Sequence, residues 1–460
     1  MRLFRKTHTD DVHAYQHSTW REYQQYLQRS PGPVRKRGWL TAGLVFAAVL
    51  SAIFLFQGYF SSSANNRRAP LPPSAPPPAE EALITKKDVG ILLQHFNEQD
   101  LLAKQIDLPF KDQRIHIETS LDEDLQSRLI RAMDRKNSRF IGIVVMAADT
   151  GRVQALAGFN KIDPGSNPCL INTFPAASLF KIVTAAAAVD QCDFNADTRI
   201  RFNGYKHTLY KNQLKEQYNQ YTNTLSFKDS FAQSVNPVFG KLGALYLDQA
   251  VLEKYATAFG FNQPINFELP VAPSHIDVQA GTYQRAEIAS GFNNDTTISP
   301  LHAAMMASAV MNNGRMVAPT MVDRITDAHG RLLYQAQTSW RGRAMSAKAS
   351  QVLIRLMETT VQSGTGRKAF RNYSRNRVLS KLDIGGKTGS IYNRAHDARF
   401  DWFVGFADEK KGPGRLIVAA LVAHEEFIGI RAAEYAKMAM TYYFQGLFAQ
   451  RETASVSSGG

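Results

Sequence analysis

Three short patterns in this 460-residue chain bring together a nucleophile, a base and a cation. Ser178-Leu179-Phe180-Lys181 places a hydroxyl and an amine three residues apart. Ser234-Val235-Asn236 follows 56 residues later, and Lys387-Thr388-Gly389-Ser390 another 153 on, directly after Gly385-Gly386. A serine hydroxyl is a weak nucleophile and needs a base within reach. On a helix, residues i and i+3 share a face, so Lys181 Nζ can reach Ser178 Oγ. Residues 178–190 (SLFKIVTAAAAVD) are apolar on all sides. Burial there disfavours an ammonium ion and pushes Lys181 toward its neutral, basic form. The helix N-terminus offers free N–H groups to developing negative charge, so the pattern points to acyl transfer. The second pattern adds a hydroxyl that relays protons and an amide that can hold an acylated substrate. The third adds a fixed cation and hydroxyls suited to a carboxylate, and the amides of Ser178 and Ser390 can together form an oxyanion hole.

Each pattern alone is weak. From average composition, Ser-x-x-Lys or Ser-x-Asn arises about once by chance in a chain this long, and Lys-Thr-Gly in about one such chain in ten. Read singly, Ser178 is a helix cap and each lysine a solvated charge. The order and the local context of all three give the set its meaning.

The elements that must position them are readable in outline. Residues 140–148 and 153–159, joined by Asp149-Thr150-Gly151-Arg152, form a hairpin. Ser120 with Glu123 suggests a capping box opening a helix through Met133. The stretch 226–320 is mostly helical. Strands follow at 382–393, 400–407 and 416–424, then a helix over 430–448. Early and late strands with helices between them predict one α+β domain: a central antiparallel sheet flanked by helices, with an all-helical subdomain.

The flanks carry a different message. The net charge is +14, which alone would suggest nucleic acid. Residues 1–38, however, hold eight basic residues against three acidic ones, and 38–66 hold none. Within that gap, 39–60 (WLTAGLVFAAVLSAIFLFQGYF) is long enough, at about 1.5 Å per residue, to cross a bilayer core of about 30 Å, and Trp39 and Tyr59 mark its ends. Arg35-Lys36-Arg37 just before it sets the N-terminus in the cytoplasm. A cleaved signal peptide is the competing reading, with Ser62-Ser63-Ala64 as its site, but leader and span are both long for one. The expected organisation is a cytoplasmic basic tail (1–38), a transmembrane helix (39–60), a Pro/Ser-rich stalk (61–82), a short lead-in (83–114, partly helical), the catalytic domain (115–450) and a disordered tail (451–460). This places a single-pass protein in the cytoplasmic (inner) membrane with its catalytic domain outside, and its charge reports address rather than nucleic-acid binding. The composition, 44% hydrophobic and 20% charged with two cysteines, excludes an acidic disordered chain, a Cys-rich zinc module and a disulfide framework.

The three patterns resemble the set shared by serine β-lactamases and penicillin-binding proteins, and about residues 115–445 resemble a penicillin-binding transpeptidase domain. Ala148-Asp149-Thr150-Gly151-Arg152-Val153 with Ala155, Ile298-Ser299-Pro300-Leu301-His302 with Asn313-Gly314 and Pro319, Gly364-Thr365-Gly366 and Trp402-Phe403-Val404-Gly405-Phe406 extend the likeness. Pro175-Ala176-Ala177-Ser178 departs from the commoner Pro-Gly-Ser lead-in. The resemblance implies that Ser178 is acylated, with Lys181 its base and Ser234 a proton relay. Asn236, Lys387, Thr388, Gly389 and Ser390 would bind the donor peptide or penicillin. It implies a peptidoglycan D,D-transpeptidase acting on stem peptides and inhibited by β-lactams, with no cofactor and no metal. The sequence names no protein partner. A D,D-carboxypeptidase, a β-lactamase and a non-enzymatic wall scaffold share the fold. No Glu-x-x-Leu-Asn segment follows Asn236, and Asn236 stands where another β-lactamase class has valine. Both departures favour a slowly deacylating site. His424-Glu425-Glu426-Phe427 lacks the second histidine of a zinc motif. Cys169 and Cys192 bracket the Ser178 helix, and either a disulfide or two buried thiols fits them.

Overall fold

The β-branched residues of Ser138–Ala147 (β1) form a strand that turns at Gly151, where φ is 74°, and returns as Val153–Asn160 (β2). The protein is described by a computed structural model over residues 84–96, 101–110 and 113–458. Leu382–Tyr392 (β3), Arg399–Glu409 (β4) and Arg415–His424 (β5) complete one five-stranded antiparallel sheet of order β3-β4-β5-β1-β2. The early hairpin and the late strands therefore share a sheet, as their patterning predicts. Strands β1 and β5 are central and covered on both faces, which is why they read as continuous apolar runs. On one face Leu125, Leu129, Tyr435 and Phe444, from helices Glu123–Arg131 and Ala432–Ser458, meet Ile143, Val145, Phe403 and Val418. The fully buried helix Pro300–Met311 also packs against β1, β4 and β5. Helix Ala347–Gln362 packs on β3, where a Cβ on Gly385 would lie 3.0 Å from the Glu358 amide nitrogen. Glycine at this position permits the close approach.

Several expectations need correction. The lead-in is partly helical, as expected, and also carries strands. After a helix at Lys86–Leu93, strands Gln105–Phe110 and Gln113–Thr119 join Val322–Asp327 and Leu332–Gln335 in a second, four-stranded antiparallel sheet. Ile106 and Leu108, then Ile115 and Ile117, alternate with polar residues and are buried, the period-2 signal of half-buried strands. Asp122, not Ser120, caps the helix Glu123–Arg131, accepting from the Leu125 N–H at 3.0 Å. The Ser120 hydroxyl instead donates to the Val153 carbonyl at 2.7 Å. The subdomain is not all-helical: it includes the ladders Phe174–Pro175 with Thr297–Ile298 and Arg199–Phe202 with Asn223–Ser226. The last helix runs on to Ser458, through most of the expected disordered tail. No disulfide joins Cys169 and Cys192, and both are buried thiols. Cys169 packs beside Gly142 with its thiol directed to the Ala157 carbonyl, whereas Cys192 ends a helix about 18 Å long. The tail, span and stalk assigned to 1–82 lie outside the described residues. Among the described residues, no helix is long and apolar enough to cross a membrane.

Candidate active site

Ser178 sits in a single 3₁₀ turn, Ala177–Phe180, and the α-helix proper begins at Lys181 and runs to Cys192. Ala177 holds a φ of 47°, a left-handed backbone that costs any residue with a Cβ. The turn is backed by Gly291, which ends helix Thr282–Ser290 with a φ of 66°. A Cβ there would collide with the Ala177 carbonyl, so only glycine lets the two segments abut. From across the sheet, Trp402 Nε1 donates to the Pro175 carbonyl at 2.9 Å and fixes the approach to the turn.

Lys181 is completely buried, and Nζ has three neighbours: Ser178 Oγ at 2.9 Å, Asn236 Oδ1 at 2.8 Å and the Ser290 carbonyl oxygen. Two of these, the amide oxygen and the carbonyl, can only accept. A neutral amine therefore spends both N–H groups on them, and its lone pair is left to face the Ser178 hydroxyl. The second motif comes from the link between helices Phe227–Ala232 and Asn236–Lys241, with Ser234 in the left-handed region at φ 55°. Ser234 Oγ lies 2.9 Å from Ser178 Oγ and 3.0 Å from Lys387 Nζ, bridging the first and third motifs. Asn236 is held in turn by the His207 carbonyl, to which Nδ2 donates at 3.0 Å.

Lys387 reaches this cluster from β3, an edge strand of the sheet. It is fully buried and donates to Ser234 Oγ and, at 2.7 Å, to the Thr388 carbonyl. As an ammonium it would keep a third N–H for another acceptor. The Thr388 hydroxyl lies 2.5 Å from that of Thr365, and Ser390 Oγ accepts from Arg399 Nε at 2.8 Å. A Cβ on Gly389 would stand 3.4 Å from the Ser178 amide nitrogen, so the strand bearing Ser390 lies directly against that N–H.

The electrostatics follow from burial. Among the described residues, no carboxylate forms a hydrogen bond or ion pair with either lysine. Burial, reinforced by the positive charge of Lys387, holds Lys181 well below the ordinary lysine range. Burial alone brings Lys387 down to about 7. Burial and then the two lysines lower the His207 imidazole. The site thus offers a base, a relayed hydroxyl and a poised cation with no anion of its own, an arrangement suited to acyl transfer on a substrate that brings a carboxylate.

All eight residues read from the three motifs lie in or beside this cluster. Sequence reasoning gave no role to Thr365, although Gly364-Thr365-Gly366 was visible, nor to Arg399. The carbonyls of Ser290 and His207 carry no side-chain signal that could have marked them.

The family described as "Penicillin binding protein transpeptidase domain" matches residues 141–441. The chain is similar to penicillin-binding protein 4 of Bacillus subtilis, 25% identical over 317 residues, covering 67% of this chain and 45% of that protein. It spans about half the length of the curated relatives it matches. Among solved structures it is similar to the D,D-transpeptidase domain of a peptidoglycan glycosyltransferase from Eggerthella lenta. The TM-score is 0.59 at 24% identity, over 72% of this chain and 84% of that one. Penicillin-binding protein 3 of Mycobacterium tuberculosis, solved in complex with ampicillin, gives a TM-score of 0.60 at 20% identity, over 77% of this chain and 83% of that one. At these identities the two structures share the fold.

Proposed function

Because the chain belongs to the penicillin-binding protein transpeptidase family, we propose that it is a serine D,D-acyltransferase that cross-links peptidoglycan stem peptides ending in D-Ala-D-Ala. The contact of Lys181 Nζ with Ser178 Oγ, in a buried setting that disfavours the ammonium, carries this reading. Ser178 Oγ attacks the penultimate D-alanine carbonyl as its proton passes to Lys181 Nζ. The oxyanion is received by the N–H groups of Ser178 and Ser390. The peptide C–N bond then breaks, and the Ser234 hydroxyl passes a proton to the leaving D-alanine nitrogen, drawing on the adjoining lysines. The product is a Ser178 ester. An amine of a second stem attacks that ester, its proton passes by way of Lys181 and Ser234 to Ser178 Oγ as the bond between the acyl carbon and Oγ breaks, and the new amide is the cross-link. Water in place of the amine makes the same site a D,D-carboxypeptidase. The terminal carboxylate of the donor, or that of penicillin, is held by Lys387, Thr388 and Ser390. The ampicillin complex of the mycobacterial relative supports inhibition by penicillins.

Labelling with a fluorescent penicillin, wild type against Ser178→Ala, tests the acyl-enzyme. A stable adduct that requires Ser178 supports the reading, no such adduct refutes it, and an adduct lost within seconds marks a β-lactamase. With purified peptidoglycan precursors, cross-linked dimers identify a transpeptidase and trimmed monomers a carboxypeptidase. The sequence supports a topology in which 39–60 anchors the chain with residues after 60 outside the cytoplasm. Protection of the domain from protease added to spheroplasts would overturn that topology.

A further inference from the structure

Between Arg199–Phe202 and Asn223–Ser226, which pair antiparallel, the chain makes a twenty-residue excursion over 203–222. It displays Tyr205, Tyr210 and Tyr221 with 82, 64 and 76% of their surface exposed, whereas the Tyr218 ring is engaged by the Arg201 guanidinium at 5.0 Å and the Lys241 ammonium at 5.6 Å. Single exposed aromatics are ordinary, but three this exposed within one twenty-residue excursion mark it as a candidate interaction site. The patch is not loose. Gln213 is buried beneath it and spends its whole hydrogen-bonding capacity on the loop backbone and Thr208. Its Nε2 donates to the carbonyls of Asn203 and Tyr205 at 3.0 and 3.3 Å, and its Oε1 accepts from the Tyr210 N–H and the Thr208 hydroxyl at 2.8 and 3.1 Å. Asn203 draws the two ends together, donating to the Gln217 carbonyl at 2.6 Å and accepting from the Thr222 hydroxyl at 2.8 Å. A buried glutamine serves here to hold aromatic rings out in water, which is pre-organisation for a ligand.

The excursion also forms a wall of the acyl site. The Asn236 N–H donates to the Lys206 carbonyl at 2.6 Å, and Asn236 Nδ2 to that of His207. His207 is thus three hydrogen bonds from Ser178 Oγ, through Lys181 and Asn236. We propose that Tyr205, Tyr210 and Tyr221 belong to a carbohydrate subsite that seats the glycan strand to which the reacting stem peptide is attached. This rests on the peptidoglycan reading above. A stem peptide of about five residues reaches about 17 Å when extended, so a sugar chain bound to its far end must lie within that distance of Ser178. Pyranose rings present apolar C–H faces that stack on exposed aromatic rings, while their hydroxyls meet tyrosine hydroxyls and backbone carbonyls. A protein partner seated on the same loop would crowd the cleft that the polymer has to enter, so the observations favour the sugar.

The test uses the full chain and its Tyr205→Ala/Tyr221→Ala variant, with three probes. Glycan strands stripped of peptide are expected to bind the wild type and to bind the variant at least about tenfold more weakly, by calorimetry or NMR titration. Acylation by penicillin, which has no sugar, is expected to stay within about twofold. Turnover of disaccharide-linked pentapeptide is expected to fall about tenfold or more, and that of sugar-free pentapeptide to be unchanged. Equal losses with both peptides, or stripped glycan that binds neither protein, overturn the proposal. Stripped glycan binding that needs the tyrosines in a protein that penicillin never acylates would sustain the subsite while sinking the acyltransferase. Gln213→Ala, which frees the loop but keeps the rings, is expected to weaken glycan binding in the same assay, and undiminished binding there would refute the pre-organisation argument.

Discussion

Replacing Asn236 by aspartate keeps the oxygen 2.8 Å from Lys181 Nζ, turns Nδ2 into a second oxygen and adds a negative charge, and so asks whether that amine acts as the base. A carboxylate at this distance attracts an ammonium by about 4–6 kcal/mol at an effective dielectric near 20. Desolvation of the new carboxylate offsets much of this, and the usual outcome of such a pairing is a shift of about 1–3 pKa units, each worth about 1.4 kcal/mol. The sign is fixed: an opposite charge favours the protonated lysine, so the Lys181 pKa rises. Ser178 is activated only by the neutral amine, so the acylation rate follows the neutral fraction. On the acid limb of the pH profile, where the wild-type amine is already protonated, the rate constant for acylation by a β-lactam falls by about 10- to 1000-fold, and at neutral pH by a smaller factor set by how far the raised pKa exceeds 7. The acid limb of its pH profile moves alkaline by the same about 1–3 units, and the rate recovers at high pH. Both Asn236→Asp and Asn236→Ala lose the bond to the His207 carbonyl, and Ala also loses the oxygen that accepts from Lys181, but only Asp adds a charge, so the charge is read from the shift of the pH limb rather than from the rate at one pH. Stopped-flow acylation across pH for the wild type and both variants reads it directly. An Asp variant whose loss does not depend on pH, or an Ala variant whose limb moves equally far, refutes the assignment of Lys181 as base.

Three further outcomes are expected. Gly291→Ala, which drives a Cβ into the Ala177 carbonyl at a φ of 66°, should cost more than about 2 kcal/mol in denaturant unfolding and slow penicillin acylation through the displaced Ser178 turn. Wild-type values in both assays would contradict the packing described. Lys387 has its pKa lowered from 10.5 to about 7 by folding, so between those values the unfolded chain binds more protons and stability should rise with pH. The rise is at most about 1.4 kcal/mol per pH unit from this residue, and Lys387→Met should remove that part of the slope in thermal melts from pH 7 to 10. Cys169 and Cys192 should both alkylate in denaturant without reductant, adding two labels by mass spectrometry, and reductant should leave the melting temperature unchanged. A single mass loss of two protons with no labelling would show a disulfide instead.

Much of the site was legible in the chain because its chemistry lives in side-chain identity at fixed local offsets. A hydroxyl and an amine three residues apart on an apolar segment specify a nucleophile and a depressed base wherever that segment is buried. Strands β1, β4 and β5 were readable because their apolar runs are long and turn-bounded. The strands at 105–119 carry a weak sequence signal because their alternation is short and their partners, 322–335, lie some two hundred residues away. Ser120 looked like a cap because Glu123 stands at the right offset. Asp122, whose carboxylate accepts from the Leu125 N–H, took that place, and the Ser120 hydroxyl was left to tie the helix lead-in to Val153.

Motif spacing along the chain says nothing about distance across it. That Ser234, 56 residues from Ser178, and Lys387, 153 residues further on, stand within 3.0 Å of one chain of hydrogen bonds was decided only by the sheet edge and helix ends that carry them. The tertiary structure also decided what backbone atoms do, since every residue has a carbonyl and only folding selects those of Ser290 and His207 to orient the base and its amide. The residue types by themselves determined that an acyl transfer was possible. Desolvation, which no sequence pattern measures and only the packed interior imposes, decided how far each lysine falls below its ordinary range.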